Sequence, residues 1–225
     1  MAAESAKSGA RSPHQLPRGK HGISRSDVVA HQVSRIIQAV AQVSAQKGYS
    51  AMSVEDIIGA AGVSRRTFYD HFKSKEEAYL TSFELISKEM LSEVNKAAAA
   101  ESDVIESVVA GIRRFLEVVS ERPVHANMCI VEVLAAGPSA LERRNAIVGS
   151  VATKFREALA KVPGSFTPPA STAEMVIGGI YEIVYARLSY DQAQELPGLL
   201  SEVVYASLLP YVGREGAGKA AKAAE

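Results

Sequence analysis

Residues 48–75 read GYSAMSVEDIIGAAGVSRRTFYDHFKSK, and this stretch decides the fold. Ser53, Ser64 and Ser74 each precede a run with helical spacing, and a serine hydroxyl can accept a hydrogen bond from the first free amides of a helix. Gly62 allows the chain to turn sharply between the first two of these helices. Two short helices joined by a glycine-containing turn form a helix-turn-helix motif, which we predict here.

The second short helix, predicted at residues 65–72, has two different faces. At 100° per residue, Phe68 and Phe72 lie together and are predicted to pack inward, while Arg66 and Asp70 point away from them. Outward guanidinium and hydroxyl groups suit the major groove of DNA, where an arginine can donate two hydrogen bonds to guanine. Asp70 would repel phosphate unless it accepts from cytosine or pairs with a neighbouring cation.

The charge is distributed unevenly along a chain whose formal net charge is zero. Residues 1–75 hold eleven lysines and arginines against five acidic residues, and residues 76–225 hold fourteen against twenty. A basic first third indicates a polyanionic partner that this third alone engages. Residues 1–23 combine proline, glycine and basic residues with few apolar ones, so we expect a disordered basic arm that can add contacts to DNA.

The rest of the 225-residue chain continues in helices, because apolar residues recur at helical spacing and alternating strand patterns are missing. We predict an all-α protein of about nine helices, with helices near 26–47, 124–136, 141–161, 172–190 and 195–211. Charges interrupt every long apolar run, so we expect no membrane span and no secretory signal, and a cytoplasmic location. A single cysteine excludes an intramolecular disulfide and a cysteine-rich metal site.

Residues 27–77 resemble the N-terminal module of the TetR family of bacterial transcriptional repressors. The resemblance rests on Gly48-Tyr49, Ser53-Val54, Asp56-Ile57, Ala60-Ala61-Gly62-Val63-Ser64, Thr67-Phe68-Tyr69, His71-Phe72 and Ser74-Lys75-Glu76. It implies that residues 64–72 form the helix that reads DNA. The residues implied to contact bases or phosphates are Ser53, Ser64, Arg65, Arg66, Thr67, Tyr69, His71 and Lys75. Met52 departs from the family pattern, which usually has a Thr or Ser there whose hydroxyl touches the DNA backbone.

Family members typically dimerise through two C-terminal helices and bind a small molecule inside the helical domain, so the resemblance implies both for this chain. The helices predicted at 172–190 and 195–211 are the candidates for the dimer interface, because small residues among large aliphatic ones permit close helix packing. The alternative for this pair is an internal core contact. The resemblance thus divides the chain into a basic arm (1–23), a DNA-binding domain (24–73), a ligand-binding and dimerisation domain (74–212) and a flexible tail (213–225).

The effector cavity implied by the resemblance has nine candidate lining residues, and the alternative for each is plain core packing, the commoner role of an apolar residue at helical spacing. They are Phe83, Met90, Phe115, His125, Met128, Cys129, Phe155, Tyr181 and Tyr185. His125 and Cys129 lie four residues apart on one helix face, a spacing that also fits two metal ligands or a nucleophile with its base. No third ligand is evident, so we predict no metal and no cofactor, and a buried thiol beside a core or solvated histidine is the alternative.

These observations predict a ligand-responsive DNA-binding regulator that is not an enzyme. The simplest form is a repressor that binds a palindromic operator as a homodimer and is released by a small apolar molecule. The alternatives are an all-α small-molecule-binding protein or enzyme that retains a vestigial DNA-binding module, and an all-α adaptor protein that works without DNA.

Overall fold

The computed structural model describes residues 25–225, and within them the regular structure is entirely helical. The nine α-helices are α1 (Arg25–Lys47), α2 (Val54–Ala61), α3 (Arg65–His71), α4 (Lys75–Ala99), α5 (Val104–Glu121), α6 (Pro123–Ile130), α7 (Pro138–Leu159), α8 (Thr172–Ser189) and α9 (Leu200–Ala224). Two 3-10 helices, Glu132–Ala135 and Ala193–Leu199, precede α7 and α9. The all-α prediction is confirmed. The predicted basic arm, residues 1–23, lies outside the described residues.

The first three helices share one apolar core. Ile36 and Val40 of α1, Ile57 of α2 and Phe68 of α3 are all fully buried in it. Because α2 and α3 have only eight and seven residues, neither is stable as an isolated helix in water. Packing against α1 therefore holds both of them, and burial of one large apolar side chain contributes about 1.5–3 kcal/mol.

Serine caps begin α2, α3 and α4, as the sequence predicts. The Ser53 hydroxyl accepts from the Asp56 backbone N–H at 3.2 Å, and the Asp56 carboxylate accepts from the Ser53 N–H at 3.0 Å. Ser64 and Ser74 each accept from the N–H three residues further on, at 3.0 and 3.1 Å. These bonds satisfy amides that have no partner inside the helix, so the helix starts are defined locally.

Helix α4 joins the first three helices to the rest of the molecule. It packs against α1 on one side and α5 on the other, and its Tyr79 and Phe83 are buried. The remaining core is supplied by α5 to α9, through residues such as Leu116, Val184 and Leu208. The apolar core is therefore continuous from the helix-turn-helix to the C-terminal helices.

The helix predicted at 124–136 is interrupted, which corrects the sequence-based expectation. Helix α6 ends at Ile130 and a 3-10 helix follows it. The reason is that two carbonyls of its last turn accept from distant tyrosines: Tyr79 Oη donates to Met128 O and Tyr181 Oη to Ile130 O, both at 2.8 Å. These carbonyls are thus bonded to hydroxyls from α4 and α8 at the point where the α-helical pattern stops.

The C-terminal segment also differs from the prediction. Residues 193–199 form a 3-10 helix that contains Pro197, which cannot donate a backbone hydrogen bond, and α9 then runs to Ala224. The predicted flexible tail at 213–225 is wrong over most of its length, because after a break at Gly213 (φ 69°) the chain is helical again. Its buried alanines at 217, 220, 221 and 224 make one packed stripe, and Arg113 of α5 donates to Ala224 O at 3.1 Å.

Residues 193–224 are long and apolar enough, with a mean hydropathy of 1.2 over the best window, to match a membrane span by length and composition. The same stretch supplies Val203, Val204, Leu208 and Tyr211 to the core of the helical domain. A helix that contributes side chains to the core of a globular domain is apolar because those side chains are buried. The length and composition of this stretch are therefore weak evidence for a membrane span.

The turn between α2 and α3 gives a direct test of the helix-turn-helix geometry. Gly62 has φ +60°, and an added Cβ would lie 2.6 Å from Arg35 Nη2, which donates to Gly62 O at 2.7 Å. We expect Gly62→Ala to lower the free energy of unfolding by about 1–2 kcal/mol, the cost of a left-handed conformation for a residue with a Cβ. Urea denaturation measures this.

Gly59→Ala is the matched control for that measurement. Gly59 lies inside α2 and an added Cβ would have no neighbour within 4 Å, so alanine is expected to stabilise by about 0.5–1 kcal/mol. Equal effects of the two substitutions would contradict the proposed strain at Gly62.

Candidate nucleic-acid interface

Helix α3 presents two opposite faces, as its spacing predicts. Phe68 and Phe72 are buried, with ring centroids 5.8 Å apart, and they dock the helix on the core of α1 and α2. Arg66 and Asp70 are exposed on the other side, and Tyr69 is exposed on the flank, with its ring centroid 5.3 Å from that of Phe68. The packing of two phenyl rings thus determines which polar groups face solvent.

Arg66 and Arg65 differ in their surroundings. Among residues 25–225, no hydrogen bond or ion pair of the Arg66 side chain is present, and its guanidinium is exposed. Arg65 forms an exposed ion pair with Glu55 of α2, and its guanidinium carbon lies 5.6 Å from the centroid of the Tyr69 ring. Exposed ion pairs contribute little to stability, so this contact leaves Arg65 available to a polyanion.

The hydroxyl groups at the start of α3 serve the helix cap. Ser64 Oγ accepts from Thr67 N–H and lies 2.8 Å from Thr67 Oγ1. Ser53 is used in the same way at α2, because its hydroxyl also donates to Asp56 Oδ2 at 2.7 Å. Met52 is buried among core residues, so the position where the family usually carries a hydroxyl is apolar here. DNA contacts by Ser53, Ser64 and Thr67 stay predictions.

Two further predicted phosphate ligands are engaged inside the protein. His71 Nε2 lies 3.1 Å from Gln32 Oε1 and so connects α3 to α1. Lys75 Nζ donates to Tyr49 O at 3.0 Å and to Met52 O at 2.9 Å, and it lies 4.4 Å from the centroid of the Tyr49 ring. Sequence reasoning missed these structural roles because both join residues 23 or more positions apart. The phosphate contacts of His71 and Lys75 stay predictions.

The predicted effector-site residues all lie in the helical domain, and Tyr181 lies close enough to Cys129 and Tyr185 to interact with them electrostatically. Phe83, Met90, Met128, Cys129 and Phe155 are buried in the core, and Phe115, His125, Tyr181 and Tyr185 are half-buried beside it. A surface groove of about 610 Å³ runs along α4 and is lined by other residues: Glu84, Lys88, Leu91, Ser92, Asn95, Lys96, Ala99 and Ile147 of α7. None of the nine predicted residues therefore lines this groove.

His125 and Cys129 do not form a catalytic or metal pair with each other. Burial raises the pKa of the Cys129 thiol to about 12, and Cys129 accepts from Ser87 Oγ at 3.4 Å. His125 Nε2 lies 2.8 Å from Gln38 Oε1 of α1, and burial lowers the pKa of this imidazole. A nucleophilic cysteine acts as a thiolate, so this protonated thiol fits a core residue. Within residues 25–225, no cluster of three metal-ligating side chains is present.

Sequence reasoning did not single out two buried polar groups in the helical domain. Arg144 of α7 stacks on Tyr181, with 4.0 Å from its guanidinium carbon to the ring centroid, and its Nε is buried without a partner. Asn127 Oδ1 of α6 is also buried without a partner. No sequence pattern marks either residue, because burial of a polar atom depends on how α6, α7 and α8 meet.

The outer faces of α8 and α9 carry exposed apolar side chains. Met175 and Ile183 of α8, Tyr190 directly after α8, and Leu209 of α9 are exposed, with 74%, 38%, 76% and 39% of their surface accessible. They lie in the two segments, 172–190 and 195–211, that the sequence analysis selects for a dimer interface.

Sequence comparison places the same N-terminal segment in a known family. Residues 36–79 match the family described as bacterial regulatory proteins, tetR family. The HTH-type transcriptional regulator CymR of Pseudomonas putida is 35% identical over 85 residues, which are 36% of this chain and 41% of that protein. The HTH-type transcriptional activator FasR of Mycolicibacterium smegmatis is 29% identical over 83 residues, 37% of this chain and 38% of that protein. The matches span about two-fifths of these relatives.

Solved structures share the fold over more of the chain. The fatty acid degradation regulator FadR from Bacillus halodurans has a TM-score of 0.69 and 22% identity, over 79% of this chain and 94% of that chain. The transcriptional regulator FadR from Bacillus subtilis, solved in complex with stearoyl-CoA, has a TM-score of 0.66 and 21% identity. The match covers 80% of this chain and 98% of that chain. At this identity the likeness concerns the fold alone. Residues 36–79 are thus similar to the N-terminal helix-turn-helix module of the tetR family of bacterial regulatory proteins.

Proposed function

We propose that this protein is a ligand-responsive transcriptional regulator that binds a palindromic DNA operator as a homodimer. The observation that carries the proposal is the face of α3 on which Arg66, Tyr69 and Asp70 are exposed opposite two buried phenylalanines. Residues 24–73 then form the DNA-binding domain, and residues 74–212 hold the effector and the dimer interface. The protein acts in the cytoplasm and is a regulator, not an enzyme, like the relatives named above.

The proposed DNA-reading step uses the exposed face of α3. The helix enters the major groove with its exposed face, where Arg66 donates to guanine and Tyr69 reaches a phosphate. Two copies in a dimer read half-sites about 34 Å apart on one face of the duplex. An effector that binds better to a dimer with another spacing lowers DNA affinity, and by reciprocity DNA lowers effector affinity.

The DNA-binding face is tested with Arg66→Ala and Tyr69→Ala. We expect each to weaken operator binding about tenfold or more, since one specific base contact contributes about 1–3 kcal/mol. Fluorescence anisotropy with labelled operator duplex measures the affinity, and circular dichroism checks the fold. Lys154→Ala, which removes an exposed cation from α7, is the matched control and is expected to bind as wild type. Wild-type affinity in both α3 variants would contradict the proposal.

The dimer is proposed to form through the exposed apolar faces of α8 and α9. Small residues on α8, Gly178 and Gly179, are exposed between Met175 and Ile183 and allow a second helix to approach closely. Exposed apolar side chains gathered on two helices are typical of a protein interface.

Ile183→Glu tests this interface. We expect a monomer by light scattering and a large loss of operator affinity, because a buried unpaired carboxylate disfavours association and a monomer reads only one half-site. Leu85→Glu, at an exposed leucine of α4, is the control and is expected to remain dimeric. If Ile183→Glu remains dimeric like the control Leu85→Glu, the dimer interface does not include this face of α8.

For the effector, we propose a molecule with a long apolar chain and an anionic head, such as a long-chain acyl thioester. The support is the fold shared with the B. subtilis regulator solved with stearoyl-CoA, together with the groove along α4. Leu91, Ala99 and Ile147 offer apolar surface in this groove. Lys88 and Lys96, two exposed lysines, lie beside it and have no ion pair among the described residues.

Thermal shift with stearoyl-CoA, with free coenzyme A as the comparison, tests the effector class. Ligand at 100 times its dissociation constant stabilises the native state by about 2.7 kcal/mol, so stearoyl-CoA is expected to raise Tm and coenzyme A to have a smaller effect. The double variant Lys88→Ala and Lys96→Ala is expected to reduce the shift. Equal Tm shifts with stearoyl-CoA in the wild type and the double variant would exclude the groove along α4 as the binding site. The absence of any Tm shift in the wild type would exclude this class of effector.

The direction of regulation is proposed to be repression with release by the effector. One relative named above is a transcriptional activator, so in vitro transcription with and without the protein distinguishes the two directions.

A further inference from the structure

A hydrogen bond joins the helical domain to the turn between α1 and α2. Glu132, in the 3-10 helix Glu132–Ala135, accepts from the backbone N–H of Tyr49 with 2.6 Å between Oε2 and N. The two residues are 83 positions apart. Tyr49 follows α1 and precedes the capped start of α2, so this carboxylate holds the DNA-binding domain from the outside.

The other polar groups of Tyr49 are held by α4. Its carbonyl accepts from Lys75 Nζ at 3.0 Å, and its ring meets the Tyr79 ring edge to face with 4.7 Å between centroids. Tyr79 Oη in turn donates to Met128 O of α6. The N–H of Tyr49 is therefore bound by the 3-10 helix, and its carbonyl and ring by α4, which together fix the position of the turn.

The segment that carries Glu132 is itself connected to three parts of the molecule. Tyr79 of α4 and Tyr181 of α8 donate to its carbonyls, and the His125 imidazole of α6 lies 2.8 Å from Gln38 Oε1 of α1. Residues 123–135 thus contact α1, the long helix α4, and the proposed dimer helix α8. A shift of α8 or α4 moves this segment, and Glu132 passes the shift to the turn before α2.

We propose that Glu132 is the positioning residue through which the helical domain sets the placement of the DNA-reading helix α3. This inference rests on the proposed function and concerns how the helical domain would regulate DNA binding. The turn at Tyr49 leads directly into α2, and α2 and α3 share the core with α1. When the bond between Glu132 and Tyr49 is present, α1–α3 follow residues 123–135 as one body. When it is absent, the turn before α2 loses this constraint, and the three helices follow the helical domain less closely, through the packing of α1 on α4 and α6.

The choice of a carboxylate supports this role. A hydrogen bond from a neutral N–H to a charged acceptor is about twice as strong as one between neutral groups, so Glu132 holds the turn more firmly than a glutamine would. The side chain is half-buried, which limits screening by salt. Glu132→Ala removes the bond, and Glu132→Gln keeps a weaker acceptor of the same size.

The test uses the full-length protein with Glu132→Ala, Glu132→Gln and the control Glu142→Ala, an exposed glutamate of α7. Hydrogen–deuterium exchange reports on the amide of Tyr49 and on the amides of α3. We expect at least tenfold faster exchange at Tyr49 in Glu132→Ala, a smaller increase across residues 65–71, an intermediate effect in Glu132→Gln, and no change in the control. Unchanged exchange at α3 would overturn the inference.

Two further readouts separate positioning from simple structural support. Spin labels on Lys73→Cys, in a chain whose single native cysteine is buried, report the distance between the two DNA-reading helices of a dimer. We expect Glu132→Ala to broaden this distance distribution and to weaken operator binding at least fivefold. A lower Tm with wild-type distances and affinity would make Glu132 a merely structural contact and overturn the proposal.

The experiments distinguish a failure of the proposed function from a failure of the inference about Glu132. A wild-type protein that binds operator and random duplex equally would contradict DNA recognition. In that case, faster exchange at α3 in Glu132→Ala would still support the mechanical connection between the two parts of the chain.

Discussion

The burial of Phe68 and Phe72 is the contact on which the proposed DNA-binding surface depends. Helix α3 has seven residues and would not persist alone in water, so its existence and its rotation about its own axis both come from these two rings. The same packing that stabilises the helix exposes Arg66 on the opposite side. One face of α3 thus stabilises the helix and the other carries the proposed DNA contacts. A change to either ring would alter the exposed surface without replacing a residue proposed to contact DNA.

Most of this region could be predicted from the sequence because its determinants are local. Ser53, Ser64 and Ser74 cap helices through bonds to residues only three positions away, and the left-handed turn needs glycine at 62. Helical spacing separates inward from outward residues without knowledge of the tertiary structure. The helix starts and the face of α3 follow from such rules, and the structure has them where the rules place them.

The errors arose where distant contacts decide local structure. Helix α6 stops early because Tyr79 and Tyr181, about 50 residues away on either side, bond to its carbonyls. The tail at 213–225 contains glycine and alanine and was expected to be flexible, yet its alanines bury a stripe beside α5. The internal bonds of Lys75 and His71 are of the same kind. Each depends on the relative placement of elements, which a single sequence read by local patterns does not contain.

The continuous core limits how the DNA-binding helices can respond to the helical domain. Because Tyr79 packs beside Tyr49 and also bonds to α6, α4 belongs to both parts, and no flexible linker separates them. A close-packed interior does not deform gradually, so a change at α6 or α8 shifts whole helices between discrete packings. Movement of α1–α3 then requires that the polar contacts across the boundary break or move together. The polar bonds that cross the boundary and the apolar surface beneath them therefore determine together how far α1–α3 follow the helical domain.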